Sequence, residues 1–266
     1  MAFIMEYEEL KQLPKLDELG LHYGGDLFIE NDKLLIKAMP EDAQDMVTYL
    51  TTLPEQEHVI KPITDGRIVY PKKTTRHDVI YQTSYRMKYL KDAKTLLCLY
   101  NEHLCYEKKI EYAKQLFSAL QFLHQYIVIG DIHAKNILIQ NENAYITDLD
   151  NARRIGEPWI PIDCYYYLNF FKSFGNTRYT DITKMYLECL SFLLEIDFSK
   201  FIAKYGYTEF YDVITSYHLP DEISTFLKLS VTNKLKKLGE EAYDFEKFIT
   251  PDVLELKRTL NFFNKY

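Results

Sequence analysis

Ile129-Gly130-Asp131-Ile132-His133-Ala134-Lys135-Asn136-Ile137-Leu138-Ile139, followed by the polar triplet Asn141-Glu142-Asn143 and by Ala144-Tyr145-Ile146-Thr147-Asp148-Leu149-Asp150, is the stretch on which the reading of this chain turns. Ile137 to Ile139 is an apolar run of strand type, the triplet makes a turn, and Ala144 to Asp148 runs back as a second short strand. A hairpin of that length returns the chain to its starting end. Asn136 and Asp148 are therefore expected side by side at the open end, with Asp131 upstream in the loop that feeds it.

Three oxygen-bearing side chains then converge. Carboxylate and amide oxygens are the hard ligands that Mg²⁺ prefers, which assigns Asn136 and Asp148 to a metal. Asp131 is placed to accept a proton from, or to orient, an incoming hydroxyl. Phosphoryl transfer asks the protein mainly to position groups and neutralise charge, and this set can do both. Singly, Asp131 and Asn136 read as turn residues and Asp148 as a strand end; the joint spacing carries the chemistry.

The D-x-x-x-x-N spacing and the D-L-D beyond the hairpin resemble the catalytic and metal-binding loops of protein-kinase-like phosphotransferases, the H-R-D-x-x-x-x-N and D-F-G pair. The resemblance implies an α+β, two-lobed, kinase-like fold. A small antiparallel β lobe that binds nucleotide would span residues 1–90, and a mainly helical catalytic lobe residues 91–266. It implies ATP and Mg²⁺ as cofactors, Asp131 as the catalytic Asp, and Asn136 and Asp148 as metal ligands. Three departures stand out: Ile129 replaces the His, Gly130 the Arg, and Leu149-Asp150 the Phe-Gly. His133, two residues after Asp131, is closer to the G-D-x-H variant of aminoglycoside and choline kinase relatives.

The same resemblance extends to the first ninety residues. Leu21 to Glu30, the turn Asn31-Asp32 and Lys33 to Ala38 read as a hairpin whose returning strand ends near Lys37. Lys37 is similar in position to the V-A-I-K lysine that grips the α and β phosphates. Gly24-Gly25 stands where a full glycine loop is expected, and offers fewer N–H groups to cradle phosphate. A helix from Pro40 to about Leu53 resembles the one that supplies an acidic partner for the strand lysine. Glu41, Asp42 and Asp45 are the candidates, with Asp45 placed at the nucleotide site. Val59 to Ile63 and Arg67 to Tyr70 around Asp65-Gly66 read as another hairpin, and Asp78 to Tyr89 as a further strand, giving about five strands. Tyr85 to Leu90 resembles the hinge that meets the adenine edge, which brings in Lys88 and Leu90.

Ile110, Ala113, Leu116, Phe117, Leu120 and Leu123 repeat at three and four, an amphipathic helix that runs into the catalytic loop. Thr180-Asp181 opens a largely apolar helix, and Asp181 is similar to the Asp that braces the catalytic loop in the family; a plain N-cap is an equally physical reading. Helices are expected over Asp221 to Lys237, Glu240 to Ile249 and Val253 to Asn264, with Glu8 to Leu13 a short helical or extended lead. The family's Arg before the catalytic Asp helps hold an activating phosphate. Gly130 cannot, so activity is expected without phosphorylation at Thr177, Tyr179 or Thr180.

Composition sets outer bounds. The 266 residues are 47% hydrophobic and 27% charged, enough for a sizeable core. A net charge of -7 argues against general nucleic-acid or membrane-surface binding. Four cysteines without a C-x-x-C pair read as reduced packing residues, and the absence of a long apolar run or of a basic, apolar-cored start points to a cytoplasmic protein with no membrane span.

These readings imply a kinase that moves the γ-phosphate of Mg-ATP to a hydroxyl. A protein Ser/Thr acceptor is favoured by the short helical tail and the lack of large insertions. A small-molecule acceptor of the aminoglycoside or choline type is favoured by Gly130-Asp131-Ile132-His133. A nucleotide-binding pseudokinase that serves as scaffold or regulator is the third reading, favoured by the thin glycine loop and the replaced Ile129 and Gly130.

Overall fold

The computed structural model describes residues 2–16, 27–39, 43–70, 80–100, 102–157, 177–216, 221–232 and 234–248. Within these the protein is a mixed α+β structure with a mostly antiparallel sheet and several helices. Gly24, Gly25, Glu41, Asp42, the aromatic segment from Trp159 to Phe174 and the expected helix from Val253 to Asn264 lie outside the described residues.

The chain opens with strand β1 (Phe3–Glu6) and one turn of helix, α1 (Tyr7–Leu10), so the lead is extended first and helical after. β2 (Leu27–Asn31) and β3 (Leu34–Met39) form an antiparallel hairpin with Leu27 opposite Lys37 and Phe28 opposite Ile36. Asn31 shapes its turn, because the side-chain oxygen accepts from Lys33 N at 2.9 Å and Leu34 N at 3.1 Å. Helix α2 (Gln44–Thr52) buries Met46, Val47 and Leu50 and packs on β4 (Pro62–Tyr70); β5 (Ile80–Lys88) completes the sheet, in the order β1-β4-β5-β3-β2. Neighbours are antiparallel except β1 and β4.

One expected turn is absent. Asp65-Gly66 does not reverse the chain: both residues lie inside β4, opposite Tyr85 and Ser84 of β5. Gly66 serves close approach instead. Phe3 of β1 lies across it, and a Cβ added there would meet the Phe3 ring at 2.3 Å. A glycine in a strand that admits a neighbouring ring reads in sequence like a glycine in a turn.

Beyond β5 come β6 (Lys94–Thr95), α3 (Leu96–Leu99) and α4 (Tyr106–Leu123). Ala113, Leu116, Phe117, Leu120 and Leu123 of the expected stripe are buried on α4, joined by Tyr112, while Ile110 is half-buried against the same core. Strand β7 (Ile127–Val128) leads into the Ile129 to His133 loop and a 3₁₀ turn, Ala134–Asn136. The hairpin of β8 (Ile137–Gln140) and β9 (Asn143–Ile146) follows, its turn closed by Asn141 at φ +55°. β10 (Arg153–Arg154) pairs back onto β7.

Helix α5 (Arg178–Leu194) is buried on every side from Thr180 to Leu194 and forms the centre of the helical core. Its N-cap is Thr177, whose hydroxyl and that of Thr180 make a reciprocal capping box, so Asp181 lies inside the first turn and its carboxylate is left for other work. Helices α6 (Phe198–Tyr205), α7 (Tyr207–Thr215) and α8 (Asp221–Val231) pack against and beyond it. The helix expected to reach Lys237 stops at Val231, where the Thr232 hydroxyl turns back to Lys228 O; 3₁₀ segments at Leu235–Tyr243 and Glu246–Phe248 continue the chain, with Gly239 at φ +56°. Among the described residues no helix is long and apolar enough to cross a membrane.

Candidate active site

The Ile129 to Asn136 loop is held from below by one face of α5. Asp181 is fully buried, and its carboxylate accepts from Ile129 N at 2.7 Å and Gly130 N at 3.0 Å. One turn on, Lys184 reaches Gly130 O at 2.5 Å. Both polar groups of Gly130 are thus fixed by α5, at a φ of +77° that glycine adopts without strain. His124, the residue that caps the C-terminal end of α4, links Asp181 Oδ2 at 3.2 Å to the Tyr243 hydroxyl at 2.7 Å. A buried charge needs such partners, since an unsatisfied one is expensive in a low-dielectric core.

Asp131 stands on this platform with its side chain partly open. Its carbonyl accepts from the Asn136 amide nitrogen at 3.0 Å, and its Oδ2 from the Asn151 amide at 3.4 Å. His133 faces it from inside. The His133 Nδ1 accepts from Lys135 N at 3.3 Å, so the proton of the neutral ring sits on Nε2, 3.6 Å from Asp131 Oδ1. Burial holds the His133 pKa down, aided by Lys135 and Lys184 and opposed by Asp131.

The hairpin brings the second motif alongside. Thr147 N donates to Asn136 O at 3.0 Å, continuing the ladder one step past Ile137 and Ile146 and setting Asp148 at the open end. Asp148 has φ +62°, an unusual backbone state for a residue with a Cβ and one that recurs at functional sites. Its Oδ1 accepts from Lys37 Nζ, and the same ammonium donates to both oxygens of Asp150, at 3.2 and 3.1 Å. Leu149 between them is buried in the helical core and anchors the pair.

Burial opposes the charge on Lys37, but Tyr85, opposite it on β5, together with Asp148 and Asp150, outweighs that and holds its pKa well above the usual lysine value. Burial, with the neighbouring Asp148 charge, pushes the Asp150 carboxyl up from the ordinary carboxylate range, and the Lys37 ammonium pulls it back.

Above this cluster lies a cleft. Leu16, Leu27 and Leu35 line it with Leu138, Tyr85 and the run from Met87 to Leu90, and Lys37, Thr147 and Asp148 complete the lining. Its lining is mostly apolar, with Lys37, Lys88 and Asp148 as its charged members. The Tyr89 N–H is taken by Lys33 O at 2.8 Å. As to cations, the Asn136 amide nitrogen is committed to Asp131 O, which turns its Oδ1 away as an acceptor, and Asp148 supplies a carboxylate. That donor set fits Mg²⁺, which commonly takes one or two protein oxygens and completes its shell from water and phosphate.

Lys37, Lys88, Leu90 and Asp148 therefore share one cleft, and Asp131 and Asn136 stand at the foot of the same hairpin, braced by Asp181. Asp45 does not join them. It is exposed on α2, and its carbonyl accepts from Arg154 Nη2 at 3.4 Å. The acids beside Lys37 are Asp148 and Asp150, and sequence reasoning passed over Asp150 in this place along with Tyr85 and Lys184. The i, i+2 spacing of Asp148 and Asp150 around an apolar residue was a usable signal, since alternate residues of extended chain share a side. Nothing comparable marked Tyr85 or Lys184. Compared with protein-family models and with curated proteins, the chain matches none.

Proposed function

We propose that the protein is a kinase-like phosphotransferase, two-lobed in the sense implied by its motifs, that moves the γ-phosphate of Mg-ATP to a hydroxyl acceptor. The observation that carries this reading is the meeting of Lys37 with Asp148 in the lining of a mostly apolar cleft, beside the loop that carries Asp131 and Asn136. Phosphoryl transfer is served by positioning and by charge stabilisation in a site that needs little reorganisation, and a loop fixed through Gly130 and Asp181 meets that need.

In this reading the cleft walls take the adenine, with Lys88 and Leu90 on the hinge side, and Lys37 turns from Asp148 to the α and β phosphates. Asn136 and Asp148 hold Mg²⁺, which when bound offsets the charge of the phosphates. Asp131, kept in place by Asn136, Asn151 and His133, orients the acceptor hydroxyl and receives its proton. The favoured acceptor is Ser or Thr of a protein, in keeping with the lack of large insertions between the motifs. His133 beside Asp131 favours a second reading, a small-molecule hydroxyl, because it gives the loop its G-D-x-H form. The protein would act in the cytoplasm.

The test is transfer of labelled γ-phosphate from Mg-ATP by purified protein, with protein acceptors, a cell extract and a panel of small alcohols including aminoglycosides and choline. Asp131→Ala should lower the rate by about 10² to 10⁴. Asp148→Ala and Lys37→Met should fall with it. Label on protein bands supports the favoured acceptor and label on a small alcohol the second. Wild-type protein that binds Mg-ATP but labels nothing across all acceptors would leave a nucleotide-binding scaffold in their place.

A further inference from the structure

We infer that Asp150 is the positioning residue that holds Lys37 for nucleotide, in the role that the sequence reading assigned to an acid of α2. The inference deepens the proposed function and rests on its reading of the cleft as a nucleotide site.

Three observations carry it. Lys37 Nζ lies within 3.2 Å of both Asp150 oxygens, a two-oxygen contact with a side chain that is 1% exposed. Asp150 therefore has no water to turn to, whereas Asp148 lies at the cleft surface and is more open. The two acids can divide the work. Asp148 can release Lys37 to the phosphates and take up a cation, while Asp150 keeps the lysine stem in place. Second, Asp45 is exposed, and among the described residues the ion pairs of Lys37 run to Asp148 and Asp150. Third, α2 is docked by other means: the Arg154 guanidinium stacks over the Tyr49 ring at 4.5 Å and reaches the Asp45 carbonyl. Arg154 belongs to β10, four residues after Asp150, while Gln44 and Thr48 donate to Asp65 of β4 and Gln44 accepts from Thr83 of β5, so the described part of the helix is tied to β10 and to the sheet and not to the Lys37 side chain. In such an arrangement the lysine stays armed whether or not α2 moves.

Two measurements test this. The first needs no nucleotide: a double-mutant cycle of Lys37→Met and Asp150→Asn by chemical denaturation. Asp150→Asn should raise the unfolding constant of the wild type about tenfold or more, yet be neutral or stabilising in Lys37→Met, where it relieves the two facing carboxylates. The second is steady-state kinetics with ATP. Asp150→Asn should lower kcat/KM for ATP about tenfold or more, mainly through KM, Asp150→Glu should recover part of it, and Asp150→Asn should add little to Lys37→Met. Additive effects in the cycle, or an ATP KM for Asp150→Asn close to that of active wild type, would overturn the inference, as would the same loss appearing in Asp45→Asn instead. If wild-type protein neither binds nor turns over ATP, the nucleotide reading itself falls, and the cycle still shows whether the ion pair exists.

Discussion

Asp181 on α5 accepts the backbone N–H groups of Ile129 and Gly130 with one carboxylate, so two adjacent peptide units of the candidate catalytic loop hang on a single side chain fifty residues away in sequence. Asparagine at this place keeps one acceptor oxygen and adds an NH₂ that faces a donor. Asp181→Asn should therefore destabilise the fold by about 1 to 3 kcal/mol and lower phosphoryl transfer with it, read by denaturation midpoint and turnover. Full activity in a protein of wild-type stability would remove the brace from the account.

Gly66 and Phe3 form a matched pair across β4 and β1. Gly66→Ala should cost about 1 to 3 kcal/mol, because the new methyl meets the Phe3 ring. In a Phe3→Ala background the same substitution should cost much less. Equal losses in both backgrounds, measured by urea denaturation, would show that the ring is not what the glycine accommodates.

The backbone of Asp148 offers a cleaner comparison. Asp148→Ala and Asp148→Gly remove the same carboxylate, so both should abolish transfer, but only glycine adopts φ +62° freely. The glycine variant should be the more stable by about 1 kcal/mol, in contrast to the usual penalty for glycine. An alanine variant of equal or greater stability would mean that the strain is not there.

Tyr243 sets an alkaline limit. Burial pushes its hydroxyl, bonded to His124, up to about 12 from an ordinary value of 10.0. The unfolded chain therefore ionises first, and the stability this group contributes is whole below pH 10 and is lost as pH rises toward 12. Tyr243→Phe should flatten part of the fall in denaturation midpoint over that interval. A wild-type midpoint that does not move between pH 9 and 11 would contradict it.

Much of the candidate catalytic stretch was legible because its order is local. Six residues from Asp131 to Asn136 and a short hairpin leave few ways to arrange their ends, and the stripe of α4 follows from 3.6 residues per turn. Turn signals were less dependable. Asp65-Gly66 has the composition of a turn, and only the ring of Phe3, far off in sequence, explains a glycine in mid-strand. The start of α5 was set one turn late for a similar reason, since Thr180 and Thr177 cap each other and Asp181 is drawn inward by the loop it supports.

By itself, then, the sequence determined the elements whose hydrogen bonds close within a few residues, and with them the hairpin that pairs Asn136 with Thr147, the residue before Asp148. Only the tertiary structure decided which acid joins Asp148 beside Lys37. Asp45 and Asp150 are equivalent as letters, but the ammonium and the carboxylate that meet are 113 residues apart, and their contact depends on how the sheet and the helical core pack against each other. A buried charge accepts the partner that packing brings within reach, and no local spacing records that distance.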